Sequence, residues 1–195
     1  MVSNKVLSDL ARVRAGQTFR GKADDPEKAS GVKLIQIKDI REVGADFTNI
    51  PFAAIEQSKV GDNLLQDGDI LIPLRGGRFE AMVCYGVDDI PTITINQVAV
   101  IRVIPEIIRV EYLLWYLNSE IGRSRLSSYR VGSVQTHIGL KDLAGFNIPV
   151  PDFYVQDKVS KIYNNWLRRK KVLEQLVVNG SDLAEQVCLD MVEGI

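Results

Sequence analysis

The pattern of hydrophobic and polar residues divides the chain into a β-rich first part and a helical last part. Short β-rich runs predict strands, among them the alternating run 32–37 and the mainly apolar runs 70–74 and 98–104. From residue 109 the period lengthens, which predicts a helix over 109–118 that resumes through 121–128. The β-rich part therefore also contains short helices.

A long helical pattern closes the chain, running without a break from Tyr154 to about Val178. Its apolar residues recur at alternating spacings of four and three, which is a heptad stripe interrupted only by Arg169. The stripe consists of Val155, Val159, Ile162, Trp166, Leu173 and Leu176. Because a helix with such a stripe must bury it, this helix requires a partner surface.

The sequence Asn179-Gly180-Ser181-Asp182 predicts a helix stop followed by a new N-cap. The long helix would then span roughly 37 Å at about 1.5 Å per residue. The acidic segment after it would form a separate short helix. Taken together, the patterns predict a mixed α/β domain with an irregular sheet and short helices over 1–153, followed over 154–195 by a long coiled-coil helix and a short acidic terminal helix.

Composition places few limits on function. The chain has 195 residues, is 46% hydrophobic and has a net charge of −1, so a nucleic-acid partner would require a local basic patch. Cys84 and Cys188 lie far apart in the sequence, which favours free thiols in a reducing cytoplasm. No run of 18 apolar residues occurs, so we expect no membrane segment.

The segment Gly16 to Lys22 has the spacing of a phosphate-binding P-loop, G-x-x-x-x-G-K. Ala23 replaces the serine or threonine that would hold magnesium, and Asp24-Asp25-Pro26 follows where a helix should begin. A polar surface loop is the simpler interpretation. A nucleotide-dependent enzyme remains a third hypothesis, to be tested by ATP binding.

Residues for catalysis are not found in the sequence. His137 is the single histidine, and there is no Cys-x-x-Cys pair, so a zinc site or a Cys-His pair lacks ligands or bases. There is also no Gly-x-Ser-x-Gly motif. We therefore predict no catalytic residue, no metal site and no enzymatic activity.

Two stretches concentrate positive charge. Arg75-Gly76-Gly77-Arg78 places two arginines at a turn between predicted strands, and residues 122–141 carry four cations and no carboxylate. The second stretch contains the polar loop 132–137, whose side chains can hydrogen-bond phosphates or base edges. Solvated surface turns are the alternative interpretation of both.

Several stretches in this order resemble one family, the specificity subunits of type I restriction–modification systems. They are Gly16-Gln17-Thr18, the strand over 34–40, Gly68 to Ile72 followed by Arg75-Gly76, the helix over 112–117, Gly132 to Gln135, and Ile148 to Pro151 with Gln156 opening the long helix. Each stretch alone is a weak signal, but their order over about 160 residues is fairly specific. With one domain and one helix, the chain resembles half of such a subunit.

The resemblance implies a target recognition domain that recognises one half of a bipartite double-stranded DNA site. It also implies an adenine methyltransferase subunit and a motor-nuclease subunit as partners. S-adenosylmethionine is expected on the methyltransferase, and no cofactor on this chain. Under this hypothesis the candidate DNA contacts are Arg75, Arg78, Arg130, Ser133, Gln135, Thr136 and His137, together with Arg20 and Lys22.

Full-length members of that family carry two domains and two helices that pair antiparallel. The resemblance therefore predicts homodimerisation through the heptad stripe named above. An alternative of a different class is a protein-interaction adaptor, in which the stripe recruits another protein and DNA plays no part. Salt-dependent binding to duplex DNA distinguishes the two, because only phosphate contacts weaken steeply with salt.

Overall fold

The computed structural model of the chain describes residues 2–25, 27, 30–77, 79–87, 89–129 and 136–194. The strands are β1 (Ser3–Val6), β2 (Ala11–Ala15), β3 (Asp24–Asp25), β4 (Lys33–Ile35), β5 (Phe52–Ala53), β6 (Ile70–Pro73), β7 (Met82–Val83), β8 (Thr92–Thr94), β9 (Val98–Val103) and β10 (Asn147–Val150). The helices are α1 (Leu7–Leu10), α2 (Val110–Asn118), α3 (Glu120–Ser127), α4 (Leu140–Ala144) and α5 (Phe153–Glu193). The predicted mixed α/β domain followed by a long helix is confirmed.

The central sheet has the strand order β2-β9-β6-β7, with all neighbours antiparallel. Ile70 lies opposite Ile101, and both side chains join the larger core cluster. The next pair along the strands, Leu71 and Val100, points to a second cluster on the other face. Because successive side chains alternate between faces, this sheet is covered on both sides.

Helices and a second sheet cover the two faces. Helices α1, α2 and α4 and the ribbon of β1 paired with β10 contribute to the larger cluster. A separate sheet of order β3-β5-β4-β8 contains a parallel pair, β4 with β8, and has its own small core. The larger cluster also supports the start of α5, since Tyr163 belongs to it.

An ion pair with a fully buried carboxylate ties the turn before β6 to the last part of β9. Asp69 is 0% exposed, and its two carboxylate oxygens accept hydrogen bonds of 2.7 Å and 2.7 Å from Arg102. The same carboxylate accepts the Gln66 backbone N–H at 2.9 Å. A fully buried carboxylate is stable only with such partners.

Helix α5 is longer than the sequence predicts. Asp152 caps it by accepting the Val155 N–H at 3.0 Å, and the helix then continues unbroken for 41 residues. The expected stop at Asn179-Gly180 and the separate acidic helix are therefore wrong. The left-handed glycine that ends the helix is Gly194, with φ of 75°. A glycine inside an exposed helix costs only about 1 kcal/mol relative to alanine, too little to break a helix supported on both sides. The rod is roughly 62 Å long at about 1.5 Å per residue, not 37 Å.

Only the first part of α5 packs on the domain. Gln156, Ser160 and Tyr163 are buried, and Val159 and Leu167 lie against the core. The Gln156 side-chain oxygen accepts the Arg109 backbone N–H at 2.8 Å, which fixes the first turn of α5 beside the start of α2. From Val172 to Leu189 every residue is exposed. Among the described residues, no helix combines the length and apolarity needed to cross a membrane.

A polar cluster, called here the helix joint, holds α5 to the domain. The Tyr163 hydroxyl donates to Glu42 at 2.6 Å and accepts from Asn118 at 3.1 Å. Lys170 also donates to Glu42, and Arg123 lies 3.8 Å from the same carboxylate. Burial alone would raise the pKa of Glu42, but the hydrogen bonds from Lys170 and Tyr163 outweigh it, so the pKa lies below its ordinary value of 4.5.

The lowered pKa of Glu42 predicts an acid-sensitive joint. A carboxylate whose folded pKa is depressed stabilises the fold fully above its ordinary pKa, and the contribution is lost as the pH falls through the folded value. Glu42→Gln should lower the free energy of unfolding by about 1–3 kcal/mol at pH 7. Below the ordinary value of 4.5, the difference from the parent should shrink toward zero.

Urea unfolding at neutral and acid pH measures this difference. Glu56→Gln is the matched control, because Glu56 forms only an exposed pair with Lys59 and should change stability by less than about 1 kcal/mol. A deficit in Glu42→Gln that stays constant on acidification would contradict the assignment.

Candidate nucleic-acid interface

The central sheet brings three chain segments together at one edge, meaning the side formed by the ends of its strands and not an outer strand. Strands β2 and β6 end at this edge, while β9, antiparallel to both, begins there. The segments Gly16-Gln17, Leu74 to Gly76 and Ile95 to Gln97 are therefore neighbours. Segments more than 70 residues apart in sequence form one surface because strand direction alternates.

Backbone hydrogen bonds lock the three segments together. The Gln17 N–H donates to Thr94 at 2.7 Å, and the Asn96 N–H donates to Gln17 at 2.9 Å. On the other side, the Leu74 N–H donates to the Gln97 carbonyl at 2.8 Å. The turn carrying Asn96 and Gln97 is thus held from both sides, which fixes the backbone from which these two side chains extend.

Gly16 has a steric role at this edge. A Cβ atom at this position would lie 2.4 Å from the carbonyl oxygens of Thr94 and Ile95, so only glycine permits the close approach. The Gly16 N–H itself donates to Val98 at 3.0 Å. Since the backbone N–H groups of Gly16 and Gln17 are used within the protein, they are not free to cradle a phosphate. This supports the interpretation of the P-loop spacing as a coincidence.

The two predicted DNA-contact segments meet at the same edge. Arg75 forms an antiparallel bridge with His137. The Gly76 N–H donates to the Thr136 carbonyl at 3.2 Å, and the Thr136 hydroxyl returns a hydrogen bond of 3.2 Å to the Gly76 carbonyl. Ile138, which is buried, donates its N–H to Leu74 at 2.9 Å and anchors the pairing in the core.

A small cleft opens where these segments converge. It is lined by Leu74, Arg75, Asn96, Gln97, His137 and Ile138 and has a volume of about 170 Å³. Pockets that enclose small ligands are usually larger, about 300–1,000 Å³. Arg75, Asn96, Gln97 and His137 are exposed around the cleft. A cation, two amides and an imidazole on an open surface suit hydrogen bonding to an extended polar partner such as a DNA groove.

The structure joins some predicted site residues and separates others. Arg75, Thr136 and His137 come together, whereas Arg20 and Lys22 do not line the cleft. Lys22 instead lies 3.4 Å from Asp24 in an exposed ion pair. The remaining candidates lie outside the described residues, so their contacts stay predictions: Arg78, Arg130, Ser133 and Gln135.

Sequence reasoning missed Asn96 and Gln97. A signal was present, since two exposed amides fill the short gap between the strand patterns 92–95 and 98–104. The pattern indicates a turn but does not say that β8 and β9 belong to different sheets. Only the strand order shows that this turn lies beside Arg75.

The heptad stripe is the second exposed surface. Ile162 is 72% exposed and Leu176 is 62% exposed, and Val155, Trp166 and Leu173 are exposed as well. Val159 is half-buried because it also contacts the domain core. Among the residues the structure describes, no cluster of three or more histidine, cysteine or acidic side chains could hold a metal ion.

An open polar surface and a long helix with an unburied apolar stripe suit contact with other macromolecules better than enclosure of a small ligand. Comparison with known proteins identifies the family of the chain. Residues 2–176 match the family described as "Type I restriction modification DNA specificity domain". The chain belongs to this family, which confirms the resemblance found in the sequence. No curated protein is significantly similar to it.

Solved structures share the fold. The S subunit of a type I restriction–modification system from M. genitalium superposes with a TM-score of 0.65 at 12% identity, over 95% of this chain and 44% of that one. The HsdS subunit from Thermoanaerobacter tengcongensis gives 0.61 at 16% identity, over 90% and 39%. A third, from a study of complex assembly and conformational transition of the type I R-M system, gives 0.67 at 16% identity, over 95% and 43%. The chain spans less than half the length of each.

Proposed function

We propose that this chain recognises one half of a bipartite double-stranded DNA site through the cleft between Arg75 and Asn96-Gln97. The observation that carries the proposal is the backbone pairing of Arg75-Gly76 with Thr136-His137, which joins two polar segments distant in sequence into one surface beside the amide turn. Arginine can contact guanine and amides can contact adenine in the major groove. Family membership supports DNA as the ligand.

The proposal extends to the complex in which the chain acts. We infer that it positions adenine methyltransferase subunits on DNA and joins a motor-nuclease subunit in the cytoplasm. S-adenosylmethionine would bind to the methyltransferase rather than to this chain. The family description, which names restriction modification, supports these partners.

A second copy of the chain completes the proposed arrangement. Apart from Val159, the stripe on α5 is exposed, and residues 172–189 have no side buried by the domain. An apolar stripe at heptad spacing is most simply buried by an equivalent stripe. A pair of chains would then present two recognition domains to a bipartite site.

Arg75→Ala tests the cleft directly. A site selected from random duplexes serves as the probe, and Arg75→Ala should bind it about 5–150-fold more weakly, since a good base contact contributes about 1–3 kcal/mol. Asn96→Ala and Gln97→Ala should reduce preference for that site more than affinity for mixed-sequence DNA. Affinity of the parent protein should fall steeply with salt, as phosphate contacts require.

Arg12→Ala is the matched control, because it removes the same charge from an exposed position near the start of β2, whereas β2 reaches the cleft at its other end. Equal losses in Arg75→Ala and Arg12→Ala would show that charge, not the cleft, determines binding. If the parent protein bound no duplex at low salt, the adaptor hypothesis would replace DNA recognition.

A further inference from the structure

The continuity of α5 through Gly180 extends the apolar stripe toward its end. The four-three spacing that contains Leu173 and Leu176 continues at Gly180, Leu183 and Val187. Leu183 is 66% exposed, and Val187 is exposed as well. The lengthened stripe therefore contains two irregular positions: Arg169, which is too large and charged, and Gly180, which has no side chain.

Antiparallel pairing of two such stripes allows only certain registers. In an antiparallel heptad pair each a position lies opposite a d position of the other helix, so registers differ by whole heptads. Arg169 is a d position and Gly180 an a position of the same stripe. They can therefore face each other across a two-fold axis, which then passes midway between Leu173 and Leu176.

We propose that two copies of this chain pair in that register, with Arg169 opposite Gly180 of the second copy. The proposal rests on the pairing of copies inferred above and specifies its geometry. Gly180 leaves space for the aliphatic stem of Arg169, whose guanidinium can then reach solvent at the edge of the interface. The central layers place Leu173 against Leu176 of the second copy, and vice versa.

Both registers one heptad away are less favourable in two respects, and one of them in a third. They place the Arg169 cation against Leu173 in one direction or Val187 in the other. They also place Gly180 opposite Ile162 or Leu176, so the space left by the missing glycine side chain is not used by Arg169. The first of them also sets Lys170 beside Lys170 of the second copy, and like charges across an interface are unfavourable.

The flanking positions agree with the proposed register. Lys158, near the start of α5, comes beside Glu193 of the second copy, an opposite-charge pair between exposed side chains. Asn165 comes beside Gln186 of the second copy, so two amides meet. The apolar layers run from Leu173 opposite Leu176 out to Ile162 opposite Val187, beyond which Val159 comes opposite Asp190 near the end of the other helix.

The register sets the distance between the two domains. Tyr163, which anchors each helix to its domain, would lie roughly 35 Å from its equivalent along the axis of the pair, at about 1.5 Å per residue. One turn of B-DNA is about 34–36 Å. A shift by one heptad would change the separation by roughly 10 Å. In this register, the points where the two helices are anchored to their domains would lie about one DNA turn apart along the helix pair.

Disulfide trapping determines the register. On a Cys188→Ser background, Leu173→Cys chains mixed with Leu176→Cys chains should form a cross-linked species. Leu176→Cys mixed with Trp166→Cys, or Leu173→Cys mixed with Leu183→Cys, should not, because those pairs meet only in the shifted registers and a disulfide requires Cα atoms within about 7 Å. Preferential cross-linking of either shifted mixture would overturn the register while leaving the dimer intact.

Compensating substitutions test the Arg169–Gly180 layer. Gly180→Leu favours the isolated helix but should raise the dimer dissociation constant at least 10-fold, and adding Arg169→Ala should restore it. Unchanged or tighter association of Gly180→Leu alone would contradict the layer. A parent protein that sediments as a monomer at micromolar concentration would refute both pairing and register, but not recognition by the Arg75 cleft, which is measured separately on DNA.

Discussion

Leu173→Asp combined with Leu176→Asp should convert the proposed dimer into a monomer, with a dissociation constant at least about 1000-fold higher. Burying one leucine contributes about 1.5–3 kcal/mol, and by symmetry the pair of substitutions removes four leucines from the interface. Both residues are exposed in the single chain, so the domain should fold normally. Sedimentation equilibrium over a micromolar range measures the association.

Val178→Asp with Val192→Asp is the matched control for this experiment. Both valines are exposed on α5, on the opposite side of the helix from the stripe, and the change in charge is the same. This variant should remain dimeric. If the stripe variant associated as tightly as the control, the stripe would not be the interface.

Asp69→Ala should lower the free energy of unfolding by about 3 kcal/mol or more. Removing one partner of a buried ion pair typically costs about 3–5 kcal/mol, because the remaining charge loses its compensation. The Arg102 side chain is 35% exposed and can recover some hydration, which favours the lower end of that range. The loss also leaves the Gln66 N–H without the carboxylate that accepts it.

The midpoint and slope of urea unfolding measure the effect. Asp62→Ala, an exposed acid near the same turn, should change stability by less than about 0.5 kcal/mol. A loss below about 1 kcal/mol in Asp69→Ala would mean that the ion pair does not tie the turn to β9. The position matters for function because β6, which follows Asp69, leads directly to Arg75.

The hydrophobic pattern predicted the architecture because it reports local burial. The runs at 70–74 and 98–104 are strands in the structure, and the change of period at 109 marks the start of the helical segments. The prediction was wrong at Gly180, because a local stop signal at Asn179-Gly180 does not outweigh the helical residues on both sides. The cost of one glycine is small compared with the support of the flanking turns.

The site was predicted less completely, since the sequence does not show which segments become neighbours. Arg75 and His137 were both candidates by residue type, and the structure shows that they pair. Arg20 and Lys22 were candidates by charge alone, and neither of them lines the cleft. Asn96 and Gln97 carry no charge, so the distribution of positive charge in the sequence does not indicate them.

The pairing of β1 with β10 has a consequence for how the protein is made. Ser3 lies opposite Val150, so the first strand has no partner until nearly the whole domain has left the ribosome. Contacts of such long sequence separation form slowly, because a large loop must close before they give any stabilisation. During synthesis the polar edge of the central sheet is likewise incomplete until Thr136 and His137 appear. The surface proposed to recognise DNA therefore forms late in the synthesis of the domain.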